Sequence, residues 1–195
     1  MKIEKLFLEN GALLKGHFLL SSGLHSDRYL QCALVLAHPS HAGALGQALA
    51  AKLNVKPDLV VSPAMGGLMI GHETARALGV RHYFTERVDG IMSLRRGFAL
   101  KPGERVVVIE DVVTTGKSTK EVFAVLRAAG AQIAAAGSIV DRSESRADLG
   151  VPYACLWTAS APSWKPEDCP LCQAGTPLVK PGSRGLESLK EPKHG

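Results

Sequence analysis

No stretch of this sequence is apolar for long enough to cross a bilayer, and its first ten residues, MKIEKLFLEN, carry Lys2, Glu4, Lys5 and Glu9 where a secretory leader would be apolar. The chain is therefore expected to be cytoplasmic, with no membrane partner. Aromatic residues are scarce at 5%, and no basic run interleaves with them, so the formal charge of +5 fits anionic small molecules and solvated surface rather than nucleic acid. Internal repeats and low-complexity blocks are absent. Only four cysteines occur. Cys32 and Cys155 sit in apolar contexts and read as small buried hydrophobes. Cys169 and Cys172 form a lone CxxC in WKPEDCPLC; with no second CxxC and no histidine at ligand spacing, the motif reads as a structural turn rather than a zinc site.

What is present is an ordinary globular composition, with 46% apolar and 21% charged residues over 195 positions, enough for one α/β core. Lys2 to Leu14 predicts a short helix that breaks near Asn10, and Gly16 to Gln31 a hairpin turned at Ser22-Gly23. Ser40 to Leu53 has Ala42, Leu45, Leu49 and Leu53 in helical phase behind Pro39. Asp58 to Ser62 is a buried strand, followed by the tight loop PAMGG and a helix to about Leu78. Arg81 to Phe84 is a further strand. Thr85 to Lys101 reads as an irregular, charged connection with a hairpin turn signal at Asp89-Gly90. Strands are also expected at Ala131 to Val140 and Tyr153 to Thr158. Recurrent strand, loop and helix predict a doubly wound α/β fold with a mostly parallel central sheet and flanking helices. A single domain over 1–175 is expected, with a small hood from 1–35 and 150–175, and an extended tail over 176–195.

The stretch RVVVIEDVVTTGKSTK, Arg105 to Lys120, carries the chemistry. Val106 to Ile109 is an unbroken apolar run suited to a strand buried on both faces. Glu110 and Asp111 follow where that strand should end, and Thr114, Thr115, Gly116, Lys117, Ser118 and Thr119 form a hydroxyl-rich loop. Lys117 to Ala129 reads as a helix with Val122, Val125, Leu126 and Ala129 on one face. Free N–H groups at a helix start can hold a phosphate monoester, and Gly116 lets the backbone approach it. The two acids can accept hydrogen bonds from ribose hydroxyls or support a Mg²⁺ that shields a diphosphate. A nucleotide P-loop would need glycine five residues before Gly116, where Asp111 stands. The pattern therefore describes a site for a phosphorylated ribose.

The segment VVVIEDVVTTGKS resembles the signature of the type I phosphoribosyltransferases: four apolar residues, two acids, two apolar residues, then Thr-Thr-Gly-x-Ser. The resemblance implies the donor 5-phosphoribosyl 1-diphosphate (PRPP), a Mg²⁺ cofactor held mainly by substrate and water near Glu110 and Asp111, and a homodimer. It implies catalytic roles for Asp111, Glu110 and Arg87. PRPP contacts are implied from Arg87, Glu110, Asp111, Val112, Val113, Thr114, Thr115, Gly116, Lys117 and Ser118, and from Met65 and Gly66 in the PAMGG loop.

SSGLHSDRYL, with Arg142 after the next strand, narrows the likeness to the orotate phosphoribosyltransferases. That resemblance implies that Tyr29 and Leu30 lie against a pyrimidine while Arg142 and Thr114 hold the acid edge of orotate. Several departures stand out. Ser21 and Gly66 occupy places where the family usually has lysine, and Gly90 and Met92 stand where its catalytic loop has lysine and histidine. Arg95 and Arg96 are candidates to replace the missing cations. A purine base as acceptor, or a non-catalytic regulator of the same fold, stays open at this level.

Overall fold

The structure is a computed structural model that describes residues 2–20, 23–143, 147–159 and 162–181. In chain order the elements are α1 (Ile3–Glu9), β1 (Leu13–Leu19), β2 (His25–Leu30), α2 (Cys32–Leu36), α3 (Pro39–Leu53), β3 (Leu59–Pro63), α4 (Gly67–Leu78), β4 (Arg81–Val88), β5 (Ile91–Leu94), β6 (Arg105–Val113), α5 (Lys117–Ala128), β7 (Gln132–Asp141), β8 (Tyr153–Thr158), β9 (Ser163–Trp164) and α6 (Pro170–Gln173). Six strands form the central sheet in the order β5-β4-β3-β6-β7-β8, parallel except for the antiparallel edge strand β5.

The unbroken apolar strands are buried on both sides because helices cover both faces. Val60, Val107 and Ile109 point into a core shared with Leu45, Leu49 and Ile70 of α3 and α4. Their neighbours Leu59, Val61, Val106 and Val108 point the other way, onto Val122, Phe123 and Leu126 of α5. From β3 the chain moves outward to β4, and from β6 it moves in the opposite direction to β7 and β8. The adjacent parallel strands β3 and β6 therefore flank a topological switch point, and the loops at their carboxyl ends open a crevice there. Those loops are PAMGG and the TTG turn, the latter preceded within β6 by Glu110 and Asp111.

Several boundaries differ from expectation. The first helix ends at Glu9, and Leu13 and Leu14 begin β1 instead of closing the helix. Residues 85–94 are regular: β4 continues to Val88 and pairs with β5 across Asp89 and Gly90, both at positive φ (50° and 82°), the geometry a two-residue hairpin turn needs. The charges of Glu86 and Arg87 lie where β4 outruns β3, whose pairing stops at Thr85. Polar side chains are tolerated on that projecting end because half of it meets solvent.

A second sheet, β1-β2-β9, forms the hood. Its C-terminal contribution comes from residues 162–181, since β8 is an edge strand of the central sheet. Val179 donates its N–H to the His17 carbonyl (2.8 Å) and accepts from the Leu19 N–H (2.9 Å), so the start of the expected tail lies along β1. Tail residues 182–195 lie outside the described residues, as do Ser21 and Ser22 of the hairpin turn. The lysine replacement at Ser21 thus has no structural account here.

Candidate active site

Strand alternation separates the two adjacent acids. Glu110 follows the parity of Val106 and Val108, toward α5, and Asp111 follows Val107 and Ile109, toward the hood and the PAMGG loop. Glu110 joins Val112 to Thr119 in lining a cleft of about 70 Å³ at the start of α5. Its Oε2 is buried with no hydrogen-bond partner. Burial, and then the charge of Asp111, push its carboxyl up to about pKa 8 against the opposing pull of Arg87. Burial also raises Asp111, less the effect of the Val112 N–H that donates to its Oδ1 at 2.8 Å.

The TTG turn is built for close approach to an anion. Gly116 has φ +74°, and a Cβ there would meet Leu149 Cδ2 at 2.6 Å, so both conformation and space call for glycine. The N-cap Gly116 has no side chain to cap α5, and the first turn contains no acid; the Lys117 N–H donates to Thr115 Oγ1 at 3.3 Å, and the N–H groups that follow, with the positive end of the helix dipole, face a ligand. Thr114, Thr115 and Lys117 are exposed, Ser118 is half-buried and Thr119 is buried.

The β3–α4 loop faces the same acids. A Cβ at Gly66 would lie 2.7 Å from both carboxylate oxygens of Asp111, so a side chain there would displace that carboxylate. The Ala64–Met65 peptide is cis, and the Ala64 N–H donates to the Thr85 carbonyl at 2.7 Å. Met65 is 80% exposed at the mouth of the crevice.

Arg142 follows β7 with its N–H donating to the Val113 carbonyl at 2.8 Å. Its side chain is half-buried, its Nε is buried without a partner among the described residues, and burial lowers its pKa. An arginine held this way is short of an acceptor, which a carboxylate would supply in bidentate geometry. Of the hood pair, Tyr29 lies beside Phe18 (ring centroids 5.9 Å), while Leu30 packs into the α3-side core. Cys32, two residues on, is buried, and its thiol is pushed up first by burial and then by the Asp111 charge. The end of the hood segment is therefore within electrostatic reach of Asp111, a proximity that the sequence did not reveal.

The basic residues of the hairpin are already engaged. Arg87 pairs with Glu121 of α5 and donates to the Gly90 carbonyl at 2.9 Å. Arg96 forms a two-pronged pair with Glu86 at 3.0 Å for each contact, and Arg95 reaches the same carboxylate at 3.8 Å. Met92, at the place of the family's loop histidine, is buried beneath α5, a position in which an ionisable ring would be costly.

Four further ligand-type side chains meet in the hood. His17, His25, Cys169 and Cys172 bring their ligand atoms within 4.8 Å of one another, although neither histidine is near the CxxC in sequence. The exposure of Cys172 and the half-burial of Cys155 also separate them from the buried Cys32 and Cys169.

The family described as phosphoribosyl transferase domain matches residues 35–164. The chain is 53% identical over 186 residues to an orotate phosphoribosyltransferase of Pelotomaculum thermopropionicum, spanning 95% of this chain and 98% of the relative. It is 51% identical over 187 residues to one of Thermotoga maritima, spanning 95% and 100%. The crystal structure of orotate phosphoribosyltransferase from Aeropyrum pernix superposes with a TM-score of 0.66 at 28% identity, over 80% of this chain and 93% of that one.

Proposed function

The chain belongs to the phosphoribosyltransferase family, among the orotate phosphoribosyltransferases, and on that premise we propose how its own residues perform the transfer. The C1–O bond between ribose and diphosphate breaks, the diphosphate leaves with the electron pair, and a ring nitrogen of orotate forms the new bond to C1. The products are orotidine 5'-monophosphate and diphosphate, a step of de novo pyrimidine (UMP) synthesis. Because diphosphate is already a good leaving group, the protein's work is to align two anions and stabilise an oxocarbenium-like ribose.

The observation that carries this reading is the buried Glu110 oxygen, without a partner among the described residues, beside Asp111 at the foot of a helix whose N-cap is Gly116. The Thr115 to Thr119 backbone receives the 5-phosphate. Glu110 and Asp111 take the ribose hydroxyls from the two sides of β6, supplying acceptors where positive charge develops on the sugar. Met65 and Gly66 border the diphosphate, and Arg87, whose charge already acts at Glu110, adds a cation from the α5 side of β6. Arg142 and Thr114 bind the orotate carboxylate edge. Tyr29 covers the pyrimidine ring, and Leu30 supports that segment from the core.

Mg²⁺ suits this site because a hard cation needs oxygen donors, and Glu110 Oε2 is a buried oxygen with no partner. When bound, it would neutralise charge on the departing diphosphate. Solution as a homodimer in the cytoplasm completes the reading. Apolar surface at Met65, Met69 (51% exposed) and Ile91 (69% exposed) is available for such a contact. Among the described residues, no helix is long and apolar enough to cross a membrane.

The test is diphosphate release from PRPP and Mg²⁺ with orotate, adenine, guanine or xanthine supplied singly. Turnover with orotate alone is expected. Turnover with a purine in its place would assign a different acceptor, and donor binding without release for any base would assign a regulator.

A further inference from the structure

The hood contains a cluster that the transfer reaction does not use. His17 lies on β1 and His25 on β2, and His25 pairs across the ladder with Leu19, two residues from His17. His17 lies in the irregular stretch of β1 between Lys15 and Phe18, where the register shifts, and the two imidazoles meet across the hairpin. Their rings are 4.9 Å apart, and His17 Nε2 is 3.0 Å from His25 Nδ1. β2 also pairs with β9 at His25↔Trp164, and five residues later the chain returns Cys169 to the same place. Cys169 Sγ lies 3.4 Å from His17 Nε2, and Cys172 Sγ lies 3.7 Å from His17 Nε2 and 3.3 Å from His25 Nδ1.

We propose that His17, His25, Cys169 and Cys172 form a tetrahedral site for a structural zinc ion that fastens the C-terminal turn to the hood. Around zinc, bonds of about 2.0–2.1 Å to nitrogen and about 2.3 Å to sulfur put neighbouring ligand atoms roughly 3.3–3.8 Å apart. Three of the four sulfur–nitrogen separations lie at those values, the two nitrogens need to part by only a few tenths of an ångström, and no two ligand atoms are more than 4.8 Å apart. Two thiolates and two imidazoles select zinc over magnesium or calcium, and four protein ligands leave no open position for chemistry.

Two independent features point the same way. His17 Nδ1 is 2.8 Å from the Thr176 carbonyl, which can only accept, so Nδ1 carries the proton and the Nε2 lone pair faces the cluster. An outer hydrogen bond of this type orients metal-ligating histidines. The surrounding structure is also too slight to hold itself: β9 has two residues and α6 has four, yet His17 is 2% exposed, His25 4% and Cys169 fully buried. Isolated helices and hairpins of that size are marginal, and small units of this kind use metals as staples.

The full-length protein, expressed with zinc supplied and then dialysed, is expected to carry about one zinc per chain by elemental mass spectrometry. Replacing zinc with Co²⁺ should give the visible bands and thiolate charge-transfer absorption of tetrahedral S₂N₂ coordination. Cys169→Ser/Cys172→Ser should lose the zinc and lower Tm by roughly 5–10 °C, while Cys32→Ser keeps the metal. Should the double variant fail to fold, the cobalt spectrum of the wild-type chain decides. Zinc below about a tenth per chain with no cobalt bands would overturn the proposal, as would a Cys169–Cys172 disulfide in its place or full zinc retention by the double variant. None of these readouts is orotate turnover, so failure here leaves the active-site reading intact.

Discussion

Replacing Glu110 with glutamine removes a charge that the folded chain disfavours, and the consequence can be worked out for the magnesium-free, ligand-free protein. Glu110 is held near pKa 8 by burial and then by Asp111, against an ordinary value of 4.5. Between those values the folded chain keeps a proton that the unfolded chain has released, so stability falls as pH rises through the window and levels off above it. The difference corresponds to roughly 5 kcal/mol as an upper bound, and water entry and side-chain relaxation reduce this to about 2–3 kcal/mol. Glutamine is neutral throughout and similar in shape. Near pH 4.5 the two proteins should melt together, and by pH 8.5 the Glu110→Gln variant should melt about 5–10 °C higher for a chain of this length. Thermal unfolding followed by circular dichroism across that pH range makes the measurement, with shared pH effects cancelling in the difference. Parallel melting curves, or a variant less stable at pH 8.5, would refute the claim that a strained acid is kept here for function.

The other predictions concern the same crevice and its core. Gly66→Ala should displace the Asp111 carboxylate and cut kcat/KM by about tenfold or more, worth ~1.4 kcal/mol, while changing Tm little because Gly66 is exposed; steady-state kinetics beside a melting curve separates the two. Arg142→Ala should raise the orotate KM by roughly 10- to 100-fold, the usual worth of hydrogen bonds to a charged group, with a smaller effect on the PRPP KM. Leu126→Ala, in the fully buried face of α5, should cost about 2–5 kcal/mol in chemical denaturation. An equal loss from the exposed Leu8→Ala would contradict the assigned core.

The central strand and its helix were legible because one short stretch satisfied several independent rules at once. Val106 to Ile109 has the continuous apolar pattern of a doubly covered strand, and Gly116 marks a turn that the structure confirms by its φ of +74°. The two acids were visible as a pair, but their assignment to opposite sides of β6 required the known parity of the strand. The hairpin was read as irregular because Glu86 and Arg87 break the apolar pattern. Those charges belong to a strand end that outruns its neighbour, a property of sheet register rather than of local sequence. Arg95 and Arg96 likewise read as free cations in sequence, and in the fold both are held by the Glu86 carboxylate.

The histidine–cysteine cluster was the least legible feature. His17 and His25 are eight residues apart, and Cys169 lies 152 residues beyond His17, so only the pairing of β1, β2 and β9 brings them together. The available signal was a hairpin with histidines on both arms in a chain that also has a lone CxxC. Its meaning depended on tertiary contact. The same holds for Gly66, whose lack of a side chain looked like a missing lysine and is, in the fold, the space occupied by Asp111.

In the proposed mechanism Asp111 is the acid that positions the ribose. The decisive measurement is diphosphate release by Asp111→Asn with saturating orotate, PRPP and Mg²⁺, alongside its melting temperature. A loss of about 100-fold or more in kcat, equivalent to ~2.7 kcal/mol of transition-state stabilisation, with Tm unchanged or raised, is the predicted result. Wild-type turnover in that variant would contradict the account.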